Sequence, residues 1–176
     1  MLFTSRFLRR TGPTLEIVCS KIIPAGIGWQ AASVAASNLD PLLFSLATGA
    51  GDGCMVLLGH QAWHRAKKRW CPTVDMDSEK QISYWLGSAA TCSGAAWQPT
   101  VDLCTPLGLF PSMALTSAAC GAAFYTGLRV FRRVYRVGPG SKTDDAQLAA
   151  SIGGATGAFV LTDPLLNGGM VPFLEI

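Results

Sequence analysis

Two histidines on one helical face are the first residues whose spacing suggests chemistry. His60 and His64 stand four apart in His60-Gln-Ala-Trp-His64. That spacing can bind zinc, and in a metalloprotease helix a glutamate follows the first histidine. Here the position after His60 is Gln61. Haem ligation would use one histidine per ring. The pair lies where an apolar run ends in a basic patch, so contact with lipid headgroups is the role we expect, with no metal and no cofactor. The cysteines are Cys19, Cys54, Cys71, Cys92, Cys104 and Cys120. None forms a CxxC pair or has histidine at zinc spacing. Cys54, Cys92 and Cys120 fall in apolar runs, where cysteine serves as a small hydrophobe. Cys71 and Cys104 fall in loops on opposite sides of the topology proposed below. No nucleophile–base pair is visible, and no enzymatic activity is expected.

The carboxylates are more informative. Asp52 sits in the middle of an apolar run. An ionised carboxylate at the centre of a bilayer costs at least about 2.5–3.5 kcal/mol on insertion scales. Asp52 must be neutral, paired or facing water. One role is a proton or ion relay, or a polar pore lining. The other is a structural hydrogen bond, for example to Thr116 or Ser117, and we favour it because no second titratable group shares the run's centre. Asp102 and Asp163 fall just past two further runs, each close to a proline, at interfacial depth.

The elements that carry these residues are apolar. Of 176 residues, 49% are hydrophobic and 14% charged, against about 25% charged in a soluble domain. Between Ile22 and Asn38 there is no charge; between Gln81 and Leu128 the only one is Asp102; between Ala146 and Phe173 the only one is Asp163. The pattern predicts an all-α membrane protein of about four Gly/Ala-rich transmembrane helices over 41–165, with a basic segment over 1–40 before it and a tail over 166–176. Residues 22–37 predict an interfacial or marginal helix, or a fifth span.

The first span begins at Pro41, capped by Asn38 or Asp40, and ends in a cationic stretch with Trp63 and Trp70 at the interface. Ser78-x-x-Gln81 reads as a capping box for the second span, which Pro99 ends. Tyr84, Trp85 and Trp97 suit an aromatic belt. The third span covers 109–131, with Pro111 in its first turn. After a turn at Gly138-Pro139-Gly140-Ser141 and an S-x-x-D start from Ser141 to Asp144, the fourth runs from Asp145 until Pro164 ends it. Spans one and three align without gaps at one offset: Thr48 with Thr116, Ala50 with Ala118, Gly53 with Gly121, Gly59 with Gly127 and Arg65 with Arg133. Two tandem two-helix units are one account of this. Gly49-x-x-x-Gly53 and Gly153-x-x-x-Gly157, with Gly121, predict close helix packing.

Net charge is +3, and its distribution carries the information. Arg65, Lys67, Lys68 and Arg69 follow the first span; Arg129, Arg132, Arg133 and Arg136 close the third. Cations there suit the helix C-termini and a headgroup layer, cardiolipin among the anionic candidates, rather than nucleic acid. Arg6, Arg9 and Arg10 interleave with Leu2, Phe3, Phe7 and Leu8, in the manner of a mitochondrial targeting segment. The positive-inside rule puts the basic tails in the matrix, opposite Glu175, and a crossing by residues 22–38 would return the N-terminus to the same side.

Gly51-Asp52 and Gln61, before a run ending in Gly94-Ala-Ala-Trp-Gln-Pro99, resemble the start of a family of small channel-like mitochondrial membrane proteins, although that family's later Trp-Pro and Asn-Phe signature is missing. Gly121-Ala-Ala-Phe124 is similar to a Gly-rich segment of the mitochondrial inner-membrane translocase family, without its following Arg-x-x-x-Asp. Both resemblances imply a channel or carrier with Asp52 in its pathway. The sequence otherwise points to a structural subunit of an inner-membrane complex, of the respiratory chain or ATP synthase, whose partners are other membrane subunits and anionic lipid.

Overall fold

The computed structural model describes residues 14–69, 71–73, 75–137 and 142–166; the side chains of 142, 143, 159 and 161–166 are not described. The basic N-terminal segment with its targeting reading, Trp70, the Gly138–Ser141 turn, the start at Ser141 and the tail with Glu175 lie outside the described residues.

The described residues form five long helices, one 3-10 turn over Thr105–Leu107 and no strand. The long helices are α1 (Thr14–Ala35), α2 (Pro41–Lys68), α3 (Met76–Cys104), α4 (Leu109–Val134) and α5 (Lys142–Leu166). Each packs against the next, antiparallel. Two of them are long and apolar enough to cross a membrane: α1, with a mean hydropathy of 1.2, and α2, with 1.5. So the first long helix starts well before Ile22 and matches a span in length, at about 33 Å for 1.5 Å per residue.

Local chemistry explains the boundaries. Asp40 caps α2, accepting from the amides of Leu42 and Leu43 at 3.0 and 3.1 Å, and Pro41 takes the first helical position, where its missing N–H is no loss. Asp75, not Ser78, caps α3. Its carboxylate accepts from the Asp77 amide at 3.1 Å and the Ser78 hydroxyl at 2.5 Å, so the expected Ser78–Gln81 box is replaced by a cap three residues earlier. Pro99 does not stop α3. The helix runs on to Cys104, with Thr100 bonding back to the Ala96 carbonyl at 2.7 Å and with Trp97 before the proline and Val101 after it packed into one apolar cluster. The backbone of α5 likewise continues past Pro164 to Leu166. Gly108, at φ 90°, makes the turn into α4, a conformation that favours glycine.

Hydrogen bonds to Asp75 from Ser78 and Asp77 hold its carboxyl below the ordinary carboxylate range. A carboxylate depressed on folding stabilises above its unfolded pKa, about 3.9, and loses that contribution as pH falls through the lower folded value. The protection of the Asp77 and Ser78 amides, measured against their intrinsic exchange rates, is therefore expected to fall on acidification below about pH 4, and Asp75→Asn is expected to flatten this dependence.

α1 contains one irregularity. Over Val18–Ile22 it widens to π-type bonding, the Ile23 amide donating to the Val18 carbonyl. Pro24 supplies the cause, since its ring would clash with the carbonyl four residues back and has no N–H to give. The widening turns two consecutive residues inward, Ser20 at 0% and Lys21 at 6% exposure.

The arrangement of polarity across α2 is the main finding of the fold. Its inward face carries Ser45, Thr48, Gly49, Asp52, Gly53, Val56, His60 and His64. Its outward face exposes Leu42, Leu43, Leu46 and Leu58. α4 repeats this with Ser112, Thr116, Cys120, Phe124 and Leu128 inside and Phe110, Leu115, Val130 and Val134 outside. A soluble helix places its polar face outward; here small and polar groups are inside and aliphatic ones outside. Trp85 and Trp97 also lie inside, correcting the aromatic-belt expectation. Their indole N–H groups donate to the carbonyls of Leu128 at 2.7 Å and Thr156 at 3.2 Å, which satisfies them in the core. Trp97 further packs edge-on against Trp29 of α1, the ring centroids 4.7 Å apart.

Candidate functional site

The first polar cluster closes one end of the α1–α2–α3 group. His60 and His64 are one turn apart on the inward face of α2, with rings 4.3 Å apart. Both are buried, at 3% and 4% exposure, which overturns the expectation that they touch headgroups. Glu79, in the first turn of α3, sits between them. Its carboxylate is 3.8 Å from His60 Nε2 and 3.4 Å from His64 Nδ1. Glu16 of α1 approaches the other side of His64, 3.6 Å from Nε2, and also faces Lys67 at 3.4 Å. Lys21 completes the surroundings, its ammonium 3.1 Å from Ser20 Oγ.

Hydrogen-bond direction fixes one tautomer. Ser83 Oγ donates to the Glu79 carbonyl at 2.7 Å. Its only proton is then used, so at its 2.9 Å contact with His60 Nδ1 it must accept. Neutral His60 therefore carries its proton on Nδ1 and turns a bare Nε2 lone pair toward Glu79.

The second polar feature is Asp52, at 8% exposure. It faces α3, so close that a Cβ placed on Gly94 would lie 2.6 Å from its Oδ2. Thr48 is one turn away on the same inward face. Cys120 of α4 is fully buried, at 0% exposure. The expected hydrogen bonds from Thr116 or Ser117 are not made: the Thr116 hydroxyl has no hydrogen-bond partner among the described residues, and the Ser117 hydroxyl points toward Gly157 of α5.

The cationic residues divide. Arg65, Lys68, Arg69, Arg129, Arg133 and Arg136 are exposed at the end that also holds the histidines. Lys67 is 46% exposed and pairs with Glu16. Arg132 is different, and its assignment to a headgroup layer is corrected. It turns inward, donates to both oxygens of Asp145 at 2.6 and 2.8 Å, and lies 4.7 Å over the Trp85 ring. Asp145 is buried at the start of α5 and draws the guanidinium in. Asp102 is exposed in the last turn of α3, accepting from Gln98 at 2.7 Å. Asp163 lies in α5, and its side chain is outside the described residues.

The glycines lie at two helix contacts. A Cβ on Gly49 would stand 2.6 Å from the Thr91 carbonyl oxygen, and one on Gly53 would stand 2.5 Å from that of Gly87. Gly121, Gly153 and Gly157 lie between α4 and α5: a Cβ on Gly153 would be 2.9 Å from Gly121 Cα, and one on Gly157 would be 2.8 Å from the Met113 carbonyl oxygen. All six cysteines are free. Cys104 ends a helix and is buried, not in a loop.

Glu16, Lys21, Glu79 and Ser83 belong to the first cluster although no motif marks them. The one sequence signal is that Glu16 and Lys21 are charges just before a long uncharged run, on a segment too short to read as a full span when begun at Ile22. No family model, curated protein or solved structure matches this chain.

Proposed function

We propose that the protein is a small structural subunit of a larger membrane complex, held in the bilayer by its outward aliphatic faces and joined to neighbours through them. The observation that carries this is the inverted polarity of α2, with Thr48, Asp52 and His60 inside and Leu42, Leu46 and Leu58 outside. Lipid or another apolar helix suits such a face, and water does not. The α2–α3 and α4–α5 pairs are two units with matched inward stripes, Thr48, Asp52 and Val56 corresponding to Thr116, Cys120 and Phe124. α1 extends the array to five spans, which brings the basic N-terminal segment to the same side as the exposed arginines. That arrangement satisfies the positive-inside rule for every cluster, and with the interleaved Arg6, Arg9 and Arg10 it supports a mitochondrial inner membrane, with the cluster of Arg129, Arg133 and Arg136 contacting anionic lipid such as cardiolipin. The respiratory chain and ATP synthase are the host complexes that fit.

Native gel migration after mild detergent extraction tests this. Co-migration with a complex of several hundred kilodaltons, lost when that complex is taken apart, is the expected result. Migration as a free monomer or small homo-oligomer contradicts it.

A second reading, a channel or carrier, has one observation in its favour: the carboxylate of Asp52, buried at mid-helix with no hydrogen bond or ion pair among the described residues. Asp52→Asn separates the two. The subunit reading expects intact assembly and unchanged solute or proton flux; a transport pathway through Asp52 would lose flux while assembly persists.

A further inference from the structure

We propose that His60, His64 and Glu79 form a binding site for a divalent transition-metal ion, zinc foremost, which clamps α2 to α3. Among the described residues these three side chains each bring one ligand atom to within 4.8 Å of the others. Two imidazoles and a carboxylate make a borderline-soft set that suits zinc over calcium or magnesium, and three protein ligands leave a fourth position for water or a partner.

Three observations support the assignment. The first is the spacing. Zinc–ligand bonds of about 2.0–2.2 Å place tetrahedral ligand atoms about 3.3–3.6 Å apart. Glu79 Oε1 stands 3.4 Å from His64 Nδ1 and Glu79 Oε2 stands 3.8 Å from His60 Nε2, so each ring has one carboxylate oxygen near that spacing, and one ligand atom from each of the three side chains lies within 4.8 Å of the others. Both nitrogen–oxygen separations are too long for hydrogen bonds.

The second is lone-pair direction. His60 Nε2 faces the Glu79 carboxylate with a lone pair, because Ser83 holds the proton on Nδ1. Two acceptors that face one another repel unless a proton or a metal ion lies between them. Among the described residues, neither nitrogen of buried His64 has a hydrogen-bond partner.

The third is the surrounding shell. A metal-bound histidine usually gives its other nitrogen to a carboxylate or another acceptor, which fixes the ring and its tautomer. Here His60 Nδ1 bonds Ser83, and His64 Nε2 faces the Glu16 carboxylate at 3.6 Å, within ion-pair reach but beyond hydrogen-bond distance. Glu16 brings α1 into the clamp. Lys21 and Lys67 also face the cluster, and their competing description is an ion-pair network in which the carboxylates serve the lysines and imidazoliums with no metal.

The test uses the full chain, carrying an affinity tag free of histidine and purified in mild detergent. Zinc content is measured by elemental analysis after dialysis, zinc affinity by competition with a chromophoric chelator, and coordination by the visible spectrum of the Co²⁺-loaded protein. One zinc per chain and tetrahedral Co²⁺ bands are expected. His64→Ala and the near-isosteric Glu79→Gln should abolish both. Glu16→Gln should keep the stoichiometry and weaken affinity about 10- to 100-fold. Should His64→Ala fail to fold, Glu79→Gln with an unchanged circular dichroism spectrum decides the matter. Absence of retained zinc and no tetrahedral Co²⁺ bands would overturn the proposal and leave the ion-pair network. Zinc bound equally by wild type and Glu79→Gln would overturn it as well.

Discussion

Replacing Arg132 by methionine is expected to destabilise the fold by about 3–5 kcal/mol, the cost of leaving a buried carboxylate without its partner. The Arg132 and Asp145 side chains are 13% and 6% exposed, and their closest approach is 2.6 Å. The guanidinium also lies over Trp85, the residue whose indole N–H holds α3 to the Leu128 carbonyl. The substitution therefore removes a charge partner, a cation–π contact and a packing stem from one place. Thermal unfolding in detergent, followed by circular dichroism, measures the loss. The pair itself need not be worth this much, since desolvation of both ions opposes their attraction. The double variant Arg132→Met with Asp145→Leu should recover most of the lost stability. Equal melting of wild type and Arg132→Met would show that the pair is solvated and α5 is not anchored there.

Gly53→Leu should be comparably damaging for a different reason. Backbone meets backbone at this point: a Cβ on Gly53 would stand 2.5 Å from the Gly87 oxygen, and one on Gly87 would stand 2.7 Å from the Gly53 oxygen. No side-chain rearrangement relieves a clash with a carbonyl, so α2 and α3 must separate. Overpacking of a tight core costs about 1–3 kcal/mol and sometimes more, and here it also pulls His60 and His64 away from Glu79. Gly154 is the control. A Cβ there meets nothing within 4 Å, so Gly154→Leu should stay within about 0.5 kcal/mol of wild type. Equal losses from the two substitutions would mean that composition, and not contact, sets the tolerance of these helices.

Much of this was legible in the residues themselves. Asp40-Pro41 is a helix start by local chemistry alone, and Gly49-x-x-x-Gly53 marks a face that another backbone can approach. What depends on a neighbour was not legible. Ser78-x-x-Gln81 has the letters of a capping box, but Asp75 three residues earlier is the stronger acceptor and takes the role. Pro99 reads as a stop because a lone helix would end there, whereas packing on both sides carries α3 past it. Trp85 and Trp97 look like interfacial anchors until the carbonyls of Leu128 and Thr156 supply partners for their N–H groups. Arg132 is indistinguishable in sequence from Arg129 and Arg133; only Asp145, on the next helix, separates them. The His60–His64 pair showed its helical face but not its company, because Glu16 and Glu79 come from two other helices.

The native cysteines offer the most direct test of the central claim, that the aliphatic faces of these helices are turned to lipid. Cys54 lies at mid-helix on α2 and Cys71 in the α2–α3 connection, and both are exposed on the protein's surface. In sealed membranes of known sidedness, a charged, membrane-impermeant maleimide should label Cys71 from one side only and leave Cys54 unlabelled, while a lipid-soluble maleimide should reach Cys54. Labelling of Cys54 by the charged reagent at a rate close to that of Cys71 would place water against α2 and contradict the membrane reading.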